Sequence, residues 1–137
     1  MIRRTYPQTR LRRTRVKGSI RDLTAQNKLT TDDLIQPIFI ADQSEDKIEI
    51  PSMPGIHRHN LDSLYFEVES LINEGIKSVA IFPAIDASKK DEDGSHALDE
   101  GNIVCSALAG LSERFPEIIK IADVALDPYT CLLYTSP

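Results

Sequence analysis

The chain has 137 residues, of which 41% are hydrophobic and 27% are charged, and its net charge is −5. These values are typical of one soluble globular domain with a core of useful size. No apolar run in the sequence approaches the ~20 residues that a membrane-spanning helix needs, and the first residues lack the apolar stretch of a secretory signal. Two cysteines, Cys105 and Cys131, form neither a disulfide framework nor a CxxC pair. We therefore expect a reducing, cytoplasmic location.

Positive charge is concentrated at the start of the chain. Eight of the sixteen basic residues lie in the first 21 residues, which contain none of the twenty-one acids. A basic arm of residues 1–18 could bind nucleic acid, or it could lie on the acidic surface of its own body or of a neighbouring subunit. Tyr6 is the one aromatic residue of the arm that could stack on bases. We therefore favour a role in assembly and expect no nucleic acid.

Helix and strand patterns alternate after the arm. The segment "SIRDLTAQNKL" predicts a short helix with Ser19 as its N-cap. "LIQPIFIAD" predicts a strand with Pro37 near its start. The polar, proline-bearing segment that follows predicts a loop with a small excursion at residues 47–50.

Asn60 is the predicted N-cap of a second helix, and Gly75 stands where its C-terminal cap belongs. The apolar residues between them recur with the 3.6-residue period of a helix: Leu61, Leu64, Val68, Leu71 and Ile72. "KSVAIFPAI" then predicts a second buried strand, and residues 86–102 predict a long charged loop. An amphipathic helix from Ile103 to Phe115 stops at Pro116, and "IIKIADVAL" predicts the third strand.

This order of elements predicts an α/β fold with a parallel sheet and right-handed crossovers. The pattern does not distinguish an open sheet from a closed barrel. Three such apolar strands would leave two unpaired edges and would need cover on both faces. We therefore expect the chain to be part of a larger domain.

Candidate site residues follow the ends of the predicted strands, because sites in α/β folds gather at the carboxyl ends of parallel strands. The three places are Ala41-Asp42, Pro83–Asp86 and Asp123–Thr130. Asp123 and Asp127 would share one face of an extended strand. Two adjacent carboxylates can hold a divalent cation or separate into an acid and a base. Alternatively, one of them caps a helix or accepts backbone N–H groups in a turn.

Three further features favour structural interpretations. His57 and His59 match no zinc-ligand spacing, so we expect a solvated loop there. Cys105 lies within a helical pattern and is expected to be a small buried hydrophobe. Two bases, Lys89 and Lys90, stand beside three acids at 91–93 and predict a solvated charged loop, although long loops such as residues 86–102 can act as lids.

Five strings resemble, in order and spacing, the delta-aminolevulinic acid dehydratase (porphobilinogen synthase) family: "YPQTRLRRTR", "LIQPIFI", "IPSMPGIHR", "GIKSVAIFP" and "DVALDPYT". The resemblance implies a (β/α)8 TIM barrel with an N-terminal arm, of which this chain holds about the first three strands in residues 19–130. It implies a homo-octamer in which the arms embrace neighbouring subunits. It also implies a hydro-lyase that condenses two molecules of 5-aminolevulinate into porphobilinogen in heme and tetrapyrrole biosynthesis.

The same resemblance implies which site residues this chain carries. The two Schiff-base lysines of the family lie on later strands, and no lysine here matches their motifs, so we expect the chain to be inactive alone. Zinc-dependent members have cysteines where this sequence has Ala125 and Asp127. The carboxylate implies magnesium rather than zinc, with Asp127 as a metal ligand. Asp123 and Asp127 are then auxiliary catalytic residues.

The resemblance stops after Thr130. The family continues with Ser-His-Gly-His or a close variant, whereas this chain ends in "CLLYTSP". We expect residues 131–137 to be a non-native tail, such as translated adapter sequence, and Cys131 is not interpreted as a zinc ligand. The alternative to the enzyme is a short non-catalytic module that binds an acidic partner or nucleic acid through the basic arm.

Overall fold

The computed structural model describes Thr5, Pro7 and residues 12–130. Its contacts divide the chain into two units, Met1–Thr30 and Thr31–Pro137. The expected non-native tail at 131–137, with Cys131, lies outside the described residues, as does most of the arm before Arg12.

One short helix dominates the described part of the first unit. Helix α1 spans Gly18–Thr24 and follows a 3-10 turn at Arg13–Arg15. Ser19 lies inside the helix, and Lys17 precedes it without a side-chain capping bond, so the predicted Ser19 cap is wrong. Gly18 already has helical geometry, so the helix begins one residue before Ser19. The hydroxyl of Thr24 donates to the carbonyl of Ile20 at 2.8 Å near the helix end.

The second unit is built on a five-stranded sheet with the strand order β2-β3-β1-β4-β5. Its strands are β1 (Gln36–Ile40), β2 (Lys47–Glu49), β3 (His57–His59), β4 (Ser78–Pro83) and β5 (Ile119–Ala122). The pairs β3–β1, β1–β4 and β4–β5 are parallel, and β2–β3 is antiparallel. The three predicted strands β1, β4 and β5 are confirmed as parallel neighbours.

Strand β3 occupies His57–His59, where the sequence predicts a solvated loop, so that prediction is wrong. The segment is short and polar. Its pairing with β1, in which Arg58 lies beside Phe39 and His59 beside Ile40, holds it in an extended conformation. A strand of this kind exists because a parallel neighbour satisfies its backbone groups, so its own composition carries little signal.

Two longer helices complete the unit, α2 (Leu61–Asn73) and α3 (Ile103–Arg114). Asn60 caps α2 as predicted, since its side-chain oxygen accepts the N–H of Ser63 at 2.9 Å. Asn102 caps α3 by accepting the N–H groups of Val104 and Cys105. Gly75 follows α2 with a φ of +90°, as its predicted C-terminal role requires.

Both helices pack on the same face of the sheet and form the core there. This covered face consists of Ile38, Ile40, Val79 and Ile81, each at most 4% exposed. Against it lie the buried residues of α2 and α3: Leu64, Val68, Leu71, Val104, Ala107 and Leu111. The helical periods predicted these contacts correctly, except that Ile72 is 41% exposed.

Cys105 is exposed, so the prediction of a buried hydrophobe is wrong. The buried stripe of α3 runs through Val104, Ala107 and Leu111. Cys105 is one residue past Val104, about 100° around the helix, and therefore points away from the sheet.

Within the second unit, neither α2 nor α3 packs on the opposite face of the sheet. We call this the open face; the register of the parallel strands places Pro37, Phe39, Ala80, Phe82, Ile119 and Ile121 on it. The rings of Phe39 and Phe82 lie 6.0 Å apart. Ile119 and Ile121 are 58% and 38% exposed. The apolar strands were expected to need cover on both faces, and the two helices of the second unit cover one of them. No helix in this part of the chain is long and apolar enough to cross a membrane.

Candidate functional site

A cleft of about 640 Å³ opens at the carboxyl edge of the sheet. Ala41 and Asp42 line it directly after β1, and Ala84 to Asp86 line it directly after β4. The first turns of α2 and α3 close its other side. Two of the three places predicted from the sequence therefore meet in one cleft, because the parallel strands that precede them end at the same edge.

Charges of both signs line this cleft. The ammonium of Lys89 lies 2.7 Å from the carboxylate of Asp42. Its hydrogen bond lowers the pKa of Asp42 and raises the pKa of Lys89. Arg58 and His96 add further basic groups to the lining. Such a lining can hold a small polar molecule that itself carries both an ammonium and a carboxylate group.

The third predicted place, at Asp123 and Asp127, does not line the cleft. Strand β5 ends at Ala122, and Asp127 begins a 3-10 turn that extends to Tyr129. The prediction that both acids share the face of one extended strand is therefore wrong. Asp123 accepts the backbone N–H of Ala125 at 3.2 Å, and a carboxylate bonded two residues ahead favours a turn over a continued strand.

Asp123 thus takes the alternative role, that of an acceptor for a backbone N–H group within the turn. Asp127 is exposed at the first position of the 3-10 turn. Among residues 12–130, no three His, Cys, Asp or Glu side chains converge on a point where they could hold a metal ion.

The long charged loop packs on the turn that carries Asp127. The amide of Asp91 donates to the carbonyl of Tyr129 at 3.3 Å, and the backbone of Asp91 forms a parallel bridge with Thr130. Tyr129 is only 5% exposed, and its ring lies 6.0 Å from the ring of His96. The sequence predicted a solvated loop or a lid and gave no signal of this contact, because it depends on residues far apart in the chain.

Three lysines of the second unit have polar partners in the structure. Lys77 lies 2.6 Å from Asp32, and Lys89 pairs with Asp42. Lys120 donates to the carbonyl of Phe115 at 3.3 Å. A lysine that attacks a ketone must be neutral and needs a lowered pKa, whereas the pKa of Lys89 is raised. Lys89, the lysine that lines the cleft, is therefore not suited to Schiff-base formation.

His59 is buried on the covered face beside Ile40. Its Nδ1 lies 2.8 Å from the hydroxyl of Ser63 in α2. Burial lowers the pKa of His59, which keeps the ring neutral. This hydrogen bond links His59 in β3 to the helix layer.

Comparisons with known proteins agree on one family. The sequence profile of the family described as "Delta-aminolevulinic acid dehydratase" matches residues 8–132. A relative of that name from Bradyrhizobium diazoefficiens is 42% identical over 88% of this chain, which covers 34% of the relative. A relative from Chlamydia pneumoniae is also 42% identical over 88% of this chain, and 36% of it is covered.

A solved structure shows the same similarity in three dimensions. It is the delta-aminolevulinic acid dehydratase (porphobilinogen synthase) of Toxoplasma gondii in complex with the reaction product porphobilinogen. It matches 90% of this chain with a TM-score of 0.81 and 35% identity, and 35% of its own chain is covered. The present chain spans about a third of the length of the curated relatives that it matches. Because the family profile covers nearly all of the described residues, the chain belongs to the delta-aminolevulinic acid dehydratase family.

Proposed function

We propose that this chain forms the N-terminal third of a porphobilinogen synthase, a lyase that condenses two molecules of 5-aminolevulinate into porphobilinogen with loss of water. One observation carries the proposal. Ninety per cent of the chain matches, at a TM-score of 0.81, a dehydratase whose structure contains porphobilinogen. The mixed charges of the carboxyl-edge cleft support it, since 5-aminolevulinate carries both an amine and a carboxylate.

In this proposal β1, β4 and β5 are the first strands of a (β/α)8 TIM barrel, and the open face is directed toward its interior. The support is physical: an apolar face beside a buried core is expected to be covered in a complete domain. Residues 1–18 are the arm that binds a neighbouring subunit in a homo-octamer. The concentration of basic residues there supports a role in assembly. The enzyme is cytoplasmic, in line with its sparse cysteines.

The Schiff-base lysines come from the part of the enzyme outside this chain, because no lysine of this chain matches the family's motifs for them and Lys89, which lines the cleft, is paired with Asp42. The chain alone therefore forms no porphobilinogen. Its contribution is the carboxyl edge of the first strands and the turn that carries Asp127.

Magnesium is the proposed metal, with Asp127 as its ligand from this chain. A magnesium ion there would supply positive charge that binds and polarises substrate oxygens. Asp127 is exposed and can accept such an ion together with water or with residues outside this chain. Asp123 shapes the turn through its bond to Ala125 and so orients the groups at the strand end.

A chimeric enzyme tests the proposal. Residues 1–130 of this chain replace the matching third of the Bradyrhizobium diazoefficiens relative, whose remaining two thirds supply the later strands. We expect the chimera to form porphobilinogen from 5-aminolevulinate in magnesium buffer, and the 137-residue chain to form none. The Asp127→Ala chimera should lose about 10²–10³-fold in kcat, which is typical for removal of one charge-stabilising group.

The parent relative, purified in parallel, is the positive control. A soluble, correctly assembled chimera without activity would contradict the proposed function. Turnover by the 137-residue chain itself would contradict the assignment of the lysines to the missing part.

A further inference from the structure

The loop between β4 and α3 is folded around one carboxylate. Asp91 accepts the backbone N–H groups of Asp93 at 3.1 Å and Ser95 at 2.9 Å, and the hydroxyl of Ser95 also donates to it. The carboxylate side chain of Asp91 thereby closes a tight turn that includes Gly94, whose φ is +65°. These bonds lower the pKa of Asp91, first through the Ser95 hydroxyl.

The turn closed by Asp91 lies directly against the segment that carries Asp127. A Cβ placed on Gly94 would lie 3.2 Å from the Thr130 side chain and 3.7 Å from those of Leu126 and Tyr129. Gly94 therefore allows a close approach that a larger residue would prevent. The loop therefore packs closely against this turn.

Backbone contacts fix the same two segments relative to each other. The Asp91 amide donates to the carbonyl of Tyr129, and Asp91 pairs with Thr130 as a parallel bridge. The side chain of Asp91 thus shapes the loop, while its main chain binds the two residues that follow Pro128. Asp127 lies on the far side of that proline, at the start of the same 3-10 turn.

We propose that Asp91 is a positioning residue for Asp127: it folds the loop 91–95 into a clasp, with Gly94 at the contact, that holds the turn Asp127–Tyr129 in place. This inference rests on the proposed function for the role of Asp127, but the clasp itself is a property of this chain. Asp91 acts through the loop and does not touch the reacting groups.

The first test uses NMR on the 137-residue chain. The wild type should show a nuclear Overhauser contact between the Gly94 Hα protons and the Thr130 methyl, and slow exchange of the amide at position 91. Asp91→Ala should abolish the contact and accelerate that exchange by about tenfold or more. Asp91→Asn keeps a carbonyl acceptor for both backbone N–H groups and should preserve both signals. Retention of both signals in Asp91→Ala would overturn the proposal.

A matched glycine pair separates the contact from simple backbone strain. Gly94 and Gly55 both have positive φ, but a Cβ at Gly55 meets nothing within 4 Å. Gly94→Ala should remove the Thr130 contact and shift the resonances of residues 127–130, whereas Gly55→Ala should leave those resonances unchanged. Equal responses of the two variants would contradict a clasp at Gly94.

The second test measures kinetics in the chimera. Asp91→Ala should lower kcat by about 10²-fold with little change in KM, because small displacements of a reacting site have effects of this size. Asp91→Asn should restore most of the activity, which a general loss of folded protein would not predict. Unchanged kcat in an active chimera would overturn the role of Asp91. An inactive unmodified chimera would instead contradict the proposed function, and the NMR result would still decide the clasp.

Discussion

The covered face and the open face of the sheet have similar apolar composition but opposite environments. On the covered face, Ile40, Val79 and Ile81 are fully buried beneath α2 and α3. On the open face, Ile119 and Ile121 remain 58% and 38% exposed, although they lie in the same sheet. The strand sequences do not distinguish the two faces, so the difference comes from what packs on each.

This difference shows where the stability of the chain lies and what the chain lacks. Burial of apolar surface contributes about 25 cal/mol per Å², so the covered face supplies the larger part of the hydrophobic stabilisation. The open face presents apolar side chains to water, which is expected where further chain or a further layer packs.

We expect the largest difference between the two faces when one isoleucine on each is substituted and the free energy of unfolding is measured. Ile81→Ala removes a fully buried side chain and should lower the free energy of unfolding by about 2–5 kcal/mol. Ile119→Ala removes an exposed side chain and should cost less than about 1 kcal/mol. Urea unfolding followed by circular dichroism measures both. Equal costs would mean that the open face is packed in solution.

The helix caps should produce the next largest effect, since they stabilise the helices that cover one face. Asn102 is 4% exposed and accepts two N–H groups of α3. Asn102→Ala should lower the free energy of unfolding by about 1–2 kcal/mol, and Asn60→Ala by about 1 kcal/mol. Asn73→Ala, at the exposed end of α2, is the control and should change it little. A cost for Asn73→Ala as large as that for Asn102→Ala would refute the capping role.

His59 should make the stability of the covered face depend on pH. Burial lowers its pKa in the folded state, with smaller contributions from Glu67, which raises it, and from His57 and Lys47, which lower it. Below about pH 6.5 the unfolded chain binds a proton that the folded chain does not, so stability falls as the pH falls toward the folded pKa. Above about pH 6.5 this contribution is fully present.

Unfolding in urea between pH 7.5 and pH 5 measures this effect. We expect a loss that approaches at most about 1.4 kcal/mol per pH unit from this group. His59→Asn keeps a partner for Ser63 but does not titrate, and it should flatten this part of the profile. A profile with the same slope in His59→Asn would assign the pH dependence to other groups.

Local sequence signals predicted the parts of the fold that local physics determines. Asn60, Gly75 and the apolar stripes of α2 and α3 were predicted correctly, because caps and helical periods act within a few residues. The prediction that Cys105 is buried was wrong, although the apolar stripe of Val104, Ala107 and Leu111 already places Cys105 outside the buried face. That error was avoidable from the sequence.

The remaining errors arise where a local side-chain hydrogen bond overrides an apolar pattern, or where a structure depends on residues far apart in the chain. The apolar run through Val124 and Leu126 predicted a longer strand, but the carboxylate of Asp123 bonds to the Ala125 amide and ends it. Strand β3 depends on pairing with β1, and the clasp depends on Asp91 meeting Thr130, so neither is visible in one segment. Of the candidate site, the edge of the sheet could be predicted and the placement of Asp127 could not. The roles of Asp123 and Asp127 and the choice of magnesium remain predictions.

Thiol accessibility on the open face tests the central claim most directly, namely that this chain is the first third of a porphobilinogen synthase whose later chain covers that face. Cys105 and Cys131 are replaced by serine, and Ile121→Cys is introduced into the chain and into the chimera. A water-soluble thiol reagent should modify position 121 rapidly in the chain and far more slowly in a chimera that forms porphobilinogen. Equally rapid modification in an active chimera would contradict the account.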